Sequence, residues 1–98
     1  MVAPIAQIRR TLLQNSAGTG TQITVLTPGN YAWVVEGTLG GSTVILEALA
    51  PDGVTWSQVT TTTALVRTPV LIESGTVLRA RVNGGSGQNV SSRLEFIA

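Results

Sequence analysis

The fold is decided by residues 76–83, Thr-Val-Leu-Arg-Ala-Arg-Val-Asn, in which apolar and polar side chains alternate. Successive side chains of a β-strand point to opposite faces. This period of two places Leu78, Ala80 and Val82 on one face and the arginines between them on the other. A Glu-Ser-Gly sequence precedes the stretch and a glycine-rich sequence follows it, and both are typical of turns. The stretch therefore predicts a half-buried strand.

The same pattern recurs along the chain at spacings of about 8 to 12 residues. Short runs of β-branched and aromatic residues lie between clusters of Gly, Pro, Asn and Asp, which favours strands over helices. The predicted strands are residues 21–27, 31–39, 42–50, 54–60, 64–72, 76–83 and 90–97. We expect an all-β protein, an antiparallel β-sandwich of about seven or eight strands that is jelly-roll-like or immunoglobulin-like.

Turn-forming residues predict how the strands connect. Residues 27–30, Thr-Pro-Gly-Asn, fit a type II turn at a hairpin or tight corner, and residues 50–53, Ala-Pro-Asp-Gly, fit a type I turn with the glycine at positive φ. The strands on either side of Gly40-Gly41 are expected to pair as antiparallel neighbours. Pro69 cannot donate to a central ladder, so the strand over residues 64–72 belongs at an edge, a bulge or a bend.

The N-terminal residues differ from the rest of the chain. Residues 8–13 could form an eighth, edge strand, but residues 15–20 are rich in Gly, Ser and Thr. We therefore expect an N-terminal arm over residues 1–20, ordered on a neighbouring subunit, and a single β-sandwich domain over residues 21–98. The arm residues expected to make this contact are Ile5, Ile8, Arg9 and Arg10.

Composition narrows the possible functions. Charged residues make up 11% of the chain, against about 25% in average soluble domains. His and Cys are absent, so there is no imidazole base, thiol nucleophile or soft metal site, and we expect neither an enzyme nor a cofactor. A net charge of +1 argues against a nucleic-acid partner. No apolar run approaches the roughly 18 residues of a membrane span, so no membrane partner is expected.

The inward faces of the predicted strands define a core. Its expected members are Ile23, Val25, Tyr31, Trp33, Val35, Val44, Leu46, Trp56, Leu78, Val82, Leu94 and Phe96. Alternatively, Tyr31, Trp33 and Trp56 could form a platform on which a sugar ring stacks, but in so small a domain three large aromatic rings are more economically core residues.

The outward faces contain more apolar residues than a solvated surface needs. Val34, Ile45, Leu49 and Ile97 share the outward side of their strands with glutamates. Since large apolar surface is usually covered, we expect these residues to contact another chain.

Three arginines are further interface candidates. Arg79 and Arg81 lie on one face of their strand, and Arg93 joins them if the last two strands form a hairpin. Such a cluster could bind phosphate, a carboxylate or an acidic protein surface. The alternative is that these arginines point outward and pair with glutamates of neighbouring strands, namely Glu36, Glu47 and Glu95.

Three segments carry a resemblance to a known class of proteins: Gly-Gly-Ser-Thr-Val-Ile-Leu-Glu (residues 40–47), Pro-Asp-Gly-Val-Thr-Trp (51–56) and Gly-Thr-Val-Leu-Arg-Ala-Arg-Val (75–82). Over about residues 30–98 the chain resembles small structural proteins of tailed bacteriophages. The resemblance implies a capsid decoration (cement) protein, a head fibre or a tail-associated component, located in the virion after assembly in the host cytoplasm.

Among these roles we expect a decoration protein that binds the outer shell of a capsid and stabilises it. Its partner would be the major capsid protein or another virion protein. We also expect a homo-oligomer, first of all a trimer, because phage decoration proteins often occupy threefold sites. The alternative function is a tail- or fibre-associated glycan-binding module that uses Tyr31, Trp33 and Trp56.

Overall fold

The computed structural model describes residues 9–98, which form eight β-strands and no helix. The strands are β1 (Arg9–Ser16), β2 (Ile23–Val25), β3 (Gly29–Thr38), β4 (Thr43–Leu49), β5 (Trp56–Thr62), β6 (Val66–Ile72), β7 (Thr76–Asn83) and β8 (Asn89–Phe96). They build two four-stranded antiparallel sheets, sheet I with the order β1-β8-β3-β6 and sheet II with the order β2-β7-β4-β5. Within the described residues no helix is long and apolar enough to cross a membrane. The prediction of an all-β antiparallel sandwich is confirmed.

The strands pair in a nested way. β1 pairs with β8, β2 with β7, β3 with β6 and β4 with β5, all antiparallel. This arrangement is the jelly roll, one of the two sandwich types that the sequence left open. Most consecutive strands therefore lie in opposite sheets, and within residues 9–98 only β4 and β5 form a hairpin between sequential strands.

The predicted pairing of β3 with β4 is wrong, because the two strands lie in different sheets. β7 and β8 also lie in different sheets, so the hairpin on which the three-arginine cluster depended does not form. Residues 27–30 make a corner between the sheets, one of the two predicted alternatives, since β2 belongs to sheet II and β3 to sheet I. Alternation of side chains determines which face of a strand is buried, but it carries no information about which strand lies beside it.

The predicted turn between β4 and β5 is confirmed. Gly53 has a φ of +74°, as a G1 bulge requires. One Asp52 carboxylate oxygen accepts hydrogen bonds from the backbone N–H groups of Val54 and Thr55, each at 2.8 Å, and the other accepts one from the Thr55 hydroxyl at 2.6 Å. These hydrogen bonds lower the pKa of Asp52 to about 2, and the bond from the Thr55 side chain has the largest effect. The turn thus holds itself together.

The edges of sheet I are β6 and β1. β6 contains Pro69 and is an edge strand, as predicted. β1 corrects the arm prediction for the residues that the structure describes, because it pairs with β8 of the same chain. A register shift between Thr11 and Leu13 turns both Leu12 and Leu13 into the core, which simple alternation does not foresee. Ile5 and Ile8 lie outside the described residues.

The core lies between the sheets and contains most of the predicted residues. Trp33 is fully buried, and its indole Nε1–H donates to the Ser92 hydroxyl at 2.8 Å. The Tyr31 ring packs edge-on against Phe96 with centroids 5.2 Å apart. Two predicted core residues are only partly buried. Phe96 still packs against the core, whereas Trp56 pairs with Leu49, which lies on the outer side of sheet II.

Candidate functional site

The outer face of sheet I carries residues that the sequence assigned to a subunit interface. Val34 lies on this face, but only 5% of it is exposed. Its neighbours across the sheet are Arg67 on β6 and Arg93 on β8, whose long side chains can cover it. The prediction that Val34 is an exposed contact residue is therefore wrong, because this side chain is already buried within its own chain.

An ion-pair network holds these arginines in place. Glu95 lies within 2.8 Å of Arg67 and 3.9 Å of Arg9, and it also accepts a hydrogen bond from Arg93. Arg93 reaches Glu36 as well, at 2.8 Å. The hydrogen bonds from Arg67 and Arg93 lower the pKa of Glu95 to about 2. Hydrogen bonds to Glu95 and Glu36 in turn raise the pKa of Arg93. Glu95 is thus an anion surrounded by three cations.

A similar network covers sheet II. Ile45, 8% exposed, lies opposite Arg81, and the next outward residue, Glu47, lies opposite Arg79. Glu47 accepts hydrogen bonds from Arg79 at 3.0 Å and from Arg81 at 3.3 Å. Burial alone would raise the pKa of Glu47, but these bonds outweigh it and the pKa is lowered. Ile45 is therefore not an exposed contact residue either.

The predicted cluster of three arginines does not form. Arg79 and Arg81 lie on the outer face of sheet II, whereas Arg93 lies on sheet I. The alternative is confirmed, since each of the three pairs with glutamates of its own sheet. Of the basic residues assigned to the arm, Arg9 lies beside Glu95, and Arg10 donates to the backbone carbonyl of Thr24 at 3.0 Å, which ties β1 to β2 of the opposite sheet.

The three aromatic rings of the proposed sugar platform do not meet. Tyr31 and Trp33 are buried on the inner face of sheet I, whereas Trp56 lies on the outer face of sheet II. The Arg79 guanidinium lies 4.0 Å from the centroid of the Trp56 ring, a cation–π distance. One face of that ring is thus already stacked, and the predicted three-ring platform is wrong.

Six large apolar side chains of the described residues are exposed: Leu26, Val54, Val59, Leu65, Leu71 and Ile97. We call Leu26, Leu71 and Ile97, which lie at one end of the sandwich, the apolar end patch; they are 73%, 72% and 55% exposed. Asn30 joins two of them, because its Cα pairs with Leu71 and its carbonyl accepts the Ile97 N–H at 2.7 Å. The Ser74 hydroxyl donates to the Leu26 carbonyl at 2.8 Å. Ser74 follows directly after β6, so Leu26 lies at the same end of the sandwich as Leu71.

The sequence identified Ile97 as exposed but missed Leu71 and Leu26. Leu71 follows Arg67 and Pro69 at intervals of two, so its outward direction was readable from the β6 pattern. Leu26 comes directly before the corner at residues 27–30, where alternation ends, and no sequence signal marks it as exposed. Leu49, the remaining apolar candidate, is partly buried beside Trp56.

The described residues also contain grooves. One of about 540 Å³ lies between β1 and residues 19–21, and hydroxyl, amide and leucine side chains line it without any ionisable group. Within residues 9–98 no three His, Cys, Asp or Glu side chains lie close enough together to hold a metal ion. The apolar end patch and the arginine networks are therefore the features that point to binding.

Comparison of the chain with protein-family models, with curated proteins and with solved structures finds no match.

Proposed function

We propose that this protein is a non-enzymatic structural protein of a virion, a capsid decoration protein that binds the outer shell and stabilises it. The observation that carries the proposal is the apolar end patch. Exposed apolar side chains grouped at one end of a protein can mark the surface that contacts a partner. The resemblance of residues 30–98 to small structural proteins of tailed phages supports a shell, with the major capsid protein or another virion protein as the partner.

The energetics favour binding in several copies. Full burial of one exposed Leu or Ile side chain contributes about 1.5 to 3 kcal/mol; since the three residues of the patch are 55–73% exposed, together they would contribute roughly 3 to 6 kcal/mol. Association of two proteins costs about 4 to 15 kcal/mol in lost freedom of motion. One copy would therefore bind weakly, whereas a homo-oligomer, with a trimer on a threefold position as the first expectation, gains affinity by engaging several sites together.

The test is sedimentation with capsids from the phage whose genome encodes the chain. The wild-type protein should sediment with the capsids and raise the temperature at which they release DNA. Leu71→Asp should weaken both effects, because it places a charge within the patch. Leu65→Asp is the matched control: Leu65 is similarly exposed, at 60%, but lies in the β5–β6 connection at the opposite end.

A wild-type protein that neither sediments with capsids nor changes their heat stability would overturn the proposal. Binding to a glycan array without affinity for capsids would replace the shell with a carbohydrate. If Leu71→Asp and Leu65→Asp lose capsid binding equally, the apolar end patch is not the specific contact with the capsid.

A further inference from the structure

We infer that the outer face of sheet I is the side of the molecule that meets the shell, and that it recognises a protein surface presenting a carboxylate next to an apolar side chain. The inference rests on the proposed function and names the partner's chemistry. Two rows of side chains on this face carry it. The apolar row consists of Ile97, Asn30 and Leu71, and the arginine row consists of Arg93, Val34 and Arg67.

The two rows lie on either side of a third row, which consists of Glu95, Ala32 and Pro69. Arg67 on β6 reaches Glu95 on β8 at 2.8 Å, so this ion pair crosses β3 between the apolar row and the arginine row. Arg67 and Leu71 are four residues apart on β6, or about 13 Å along the strand, and the two strands that flank β3 lie about 10 Å apart. A surface of these dimensions suits the rim of a folded domain.

The charges on this face favour an anion. Three guanidinium groups surround the carboxylate of Glu95, and the second glutamate, Glu36, pairs with Arg93 alone among residues 9–98. A guanidinium has five N–H donors, and Arg67 uses NH1 for Glu95. The Arg67 side chain is 59% exposed, so its other donors can reach a partner's carboxylate in bidentate geometry.

The corresponding arginines of sheet II are less available. The side chains of Arg79 and Arg81 are 26% and 35% exposed, and both bind Glu47. Arg79 also stacks on Trp56. Leu71 and Ile97, 72% and 55% exposed, are also more exposed than Val59 on β5 of sheet II, which is 42% exposed. Within the described residues sheet I thus combines the more exposed arginine with the more exposed apolar side chains.

The partner would lie on the face of sheet I and not extend its edge. β6 is an edge strand of sheet I, and Pro69 in its middle has no N–H to donate to an added strand. A partner therefore gains most by laying an apolar side chain on the Leu71 row and a carboxylate beside Arg67.

The experiment compares Arg67→Gln with Arg81→Gln in capsid binding. Each change removes one positive charge and leaves the neighbouring glutamate a second arginine, Arg93 for Glu95 and Arg79 for Glu47. A charge-assisted hydrogen bond is worth about 1.5 to 3 kcal/mol, so Arg67→Gln should weaken binding at least about tenfold. Arg81→Gln should bind within about twofold of wild type. Urea unfolding of both variants checks that they fold.

The partner's chemistry is tested on the capsids. Capsids whose surface carboxylates have been converted to amides with a carbodiimide and glycinamide should lose affinity, whereas capsids with acetylated lysines should keep it. If binding survives amidation, the proposal that Arg67 binds a carboxylate of the shell is wrong. If single-stranded DNA competes at low concentration, the bound group is a phosphate instead. If Arg81→Gln fails to bind while Arg67→Gln and Leu71→Asp bind normally, the surface is wrong although the decoration function stands. If the wild-type protein does not bind, both fail.

Discussion

Replacing Trp33 by Ala is the most direct test of the jelly-roll core. Trp33 is fully buried in the centre of sheet I, where β3 is flanked by β8 and β6. Its indole N–H is the hydrogen-bond donor for the Ser92 hydroxyl, which is itself 2% exposed. The substitution therefore removes the largest core side chain and leaves a buried hydroxyl without this donor.

The expected cost follows from these two losses. Truncating a buried Trp to Ala typically costs about 3 to 5 kcal/mol, and the orphaned Ser92 hydroxyl places the value toward the upper end. A domain of this size has a total stability of about 5 to 15 kcal/mol. At about 4 to 8 °C per kcal/mol, the melting temperature should fall by at least about 12 °C. Trp33→Phe keeps one ring but loses the N–H and part of the buried indole volume, so it should cost less than Trp33→Ala, about 1 to 3 kcal/mol.

Urea unfolding followed by far-UV circular dichroism measures both variants without relying on the lost indole. Trp56, partly exposed on the other sheet, remains as a fluorescence probe. If Trp33→Ala unfolds within about 0.5 kcal/mol of wild type, the ring is not in the core. The strand pairing described for β3 would then be wrong, and the sugar platform would have to be reconsidered.

Three further outcomes are expected. Gly20→Ala should destabilise the protein by more than about 1 kcal/mol, because its Cβ would lie 1.8 Å from the Leu12 carbonyl oxygen, whereas Gly18→Ala, with open space around it, should be neutral in the same urea titration. The pKa of Glu95 is lowered to about 2 in the folded protein against about 4.3 in an unfolded chain, so it stabilises the fold above about pH 4.3 and this contribution disappears as the pH falls toward 2. In Glu95→Gln the free energy of unfolding should therefore fall less between pH 5 and 2 than in the wild-type protein. An equal fall in both proteins would contradict the ion-pair network. Sedimentation velocity should give an oligomer of the 10.2 kDa chain that a variant lacking residues 1–8 does not form, and a monomer at all concentrations would refute the oligomer.

The sequence predicts strands and buried faces far better than it predicts neighbours. The strand over residues 76–83 is observed at those bounds, and most predicted core residues are buried. These features depend on local alternation and turn chemistry, which a strand carries in its own residues. The nested pairing of the jelly roll joins residues as distant as Arg9 and Glu95, and nothing local specifies it.

Irregular strands and strand ends account for the remaining differences. In β1 a register shift places Leu12 and Leu13 on the same side, so a count of alternating positions could not recognise a core strand there. In β5 the outward position of Trp56 depends on its pairing with Leu49. A large aromatic residue is assigned to the core by default, and only the pairing reveals its stacking with Arg79.

The position of the apolar end patch has a physical explanation in the arginine networks. The sequence leaves several large apolar residues on outward faces and supplies few charges to surround them. Val34 and Ile45, the outward apolar residues with arginines beside them, are buried; aliphatic arginine stems can cover them while glutamates hold the guanidinium groups in place. In the row of Leu71 and Ile97 the residue between them is Asn30, whose side chain is too short to act in the same way. Leu71 and Ile97 are thus exposed where no arginine lies beside them, on the same face of sheet I as the guanidinium groups that would bind a partner's carboxylate.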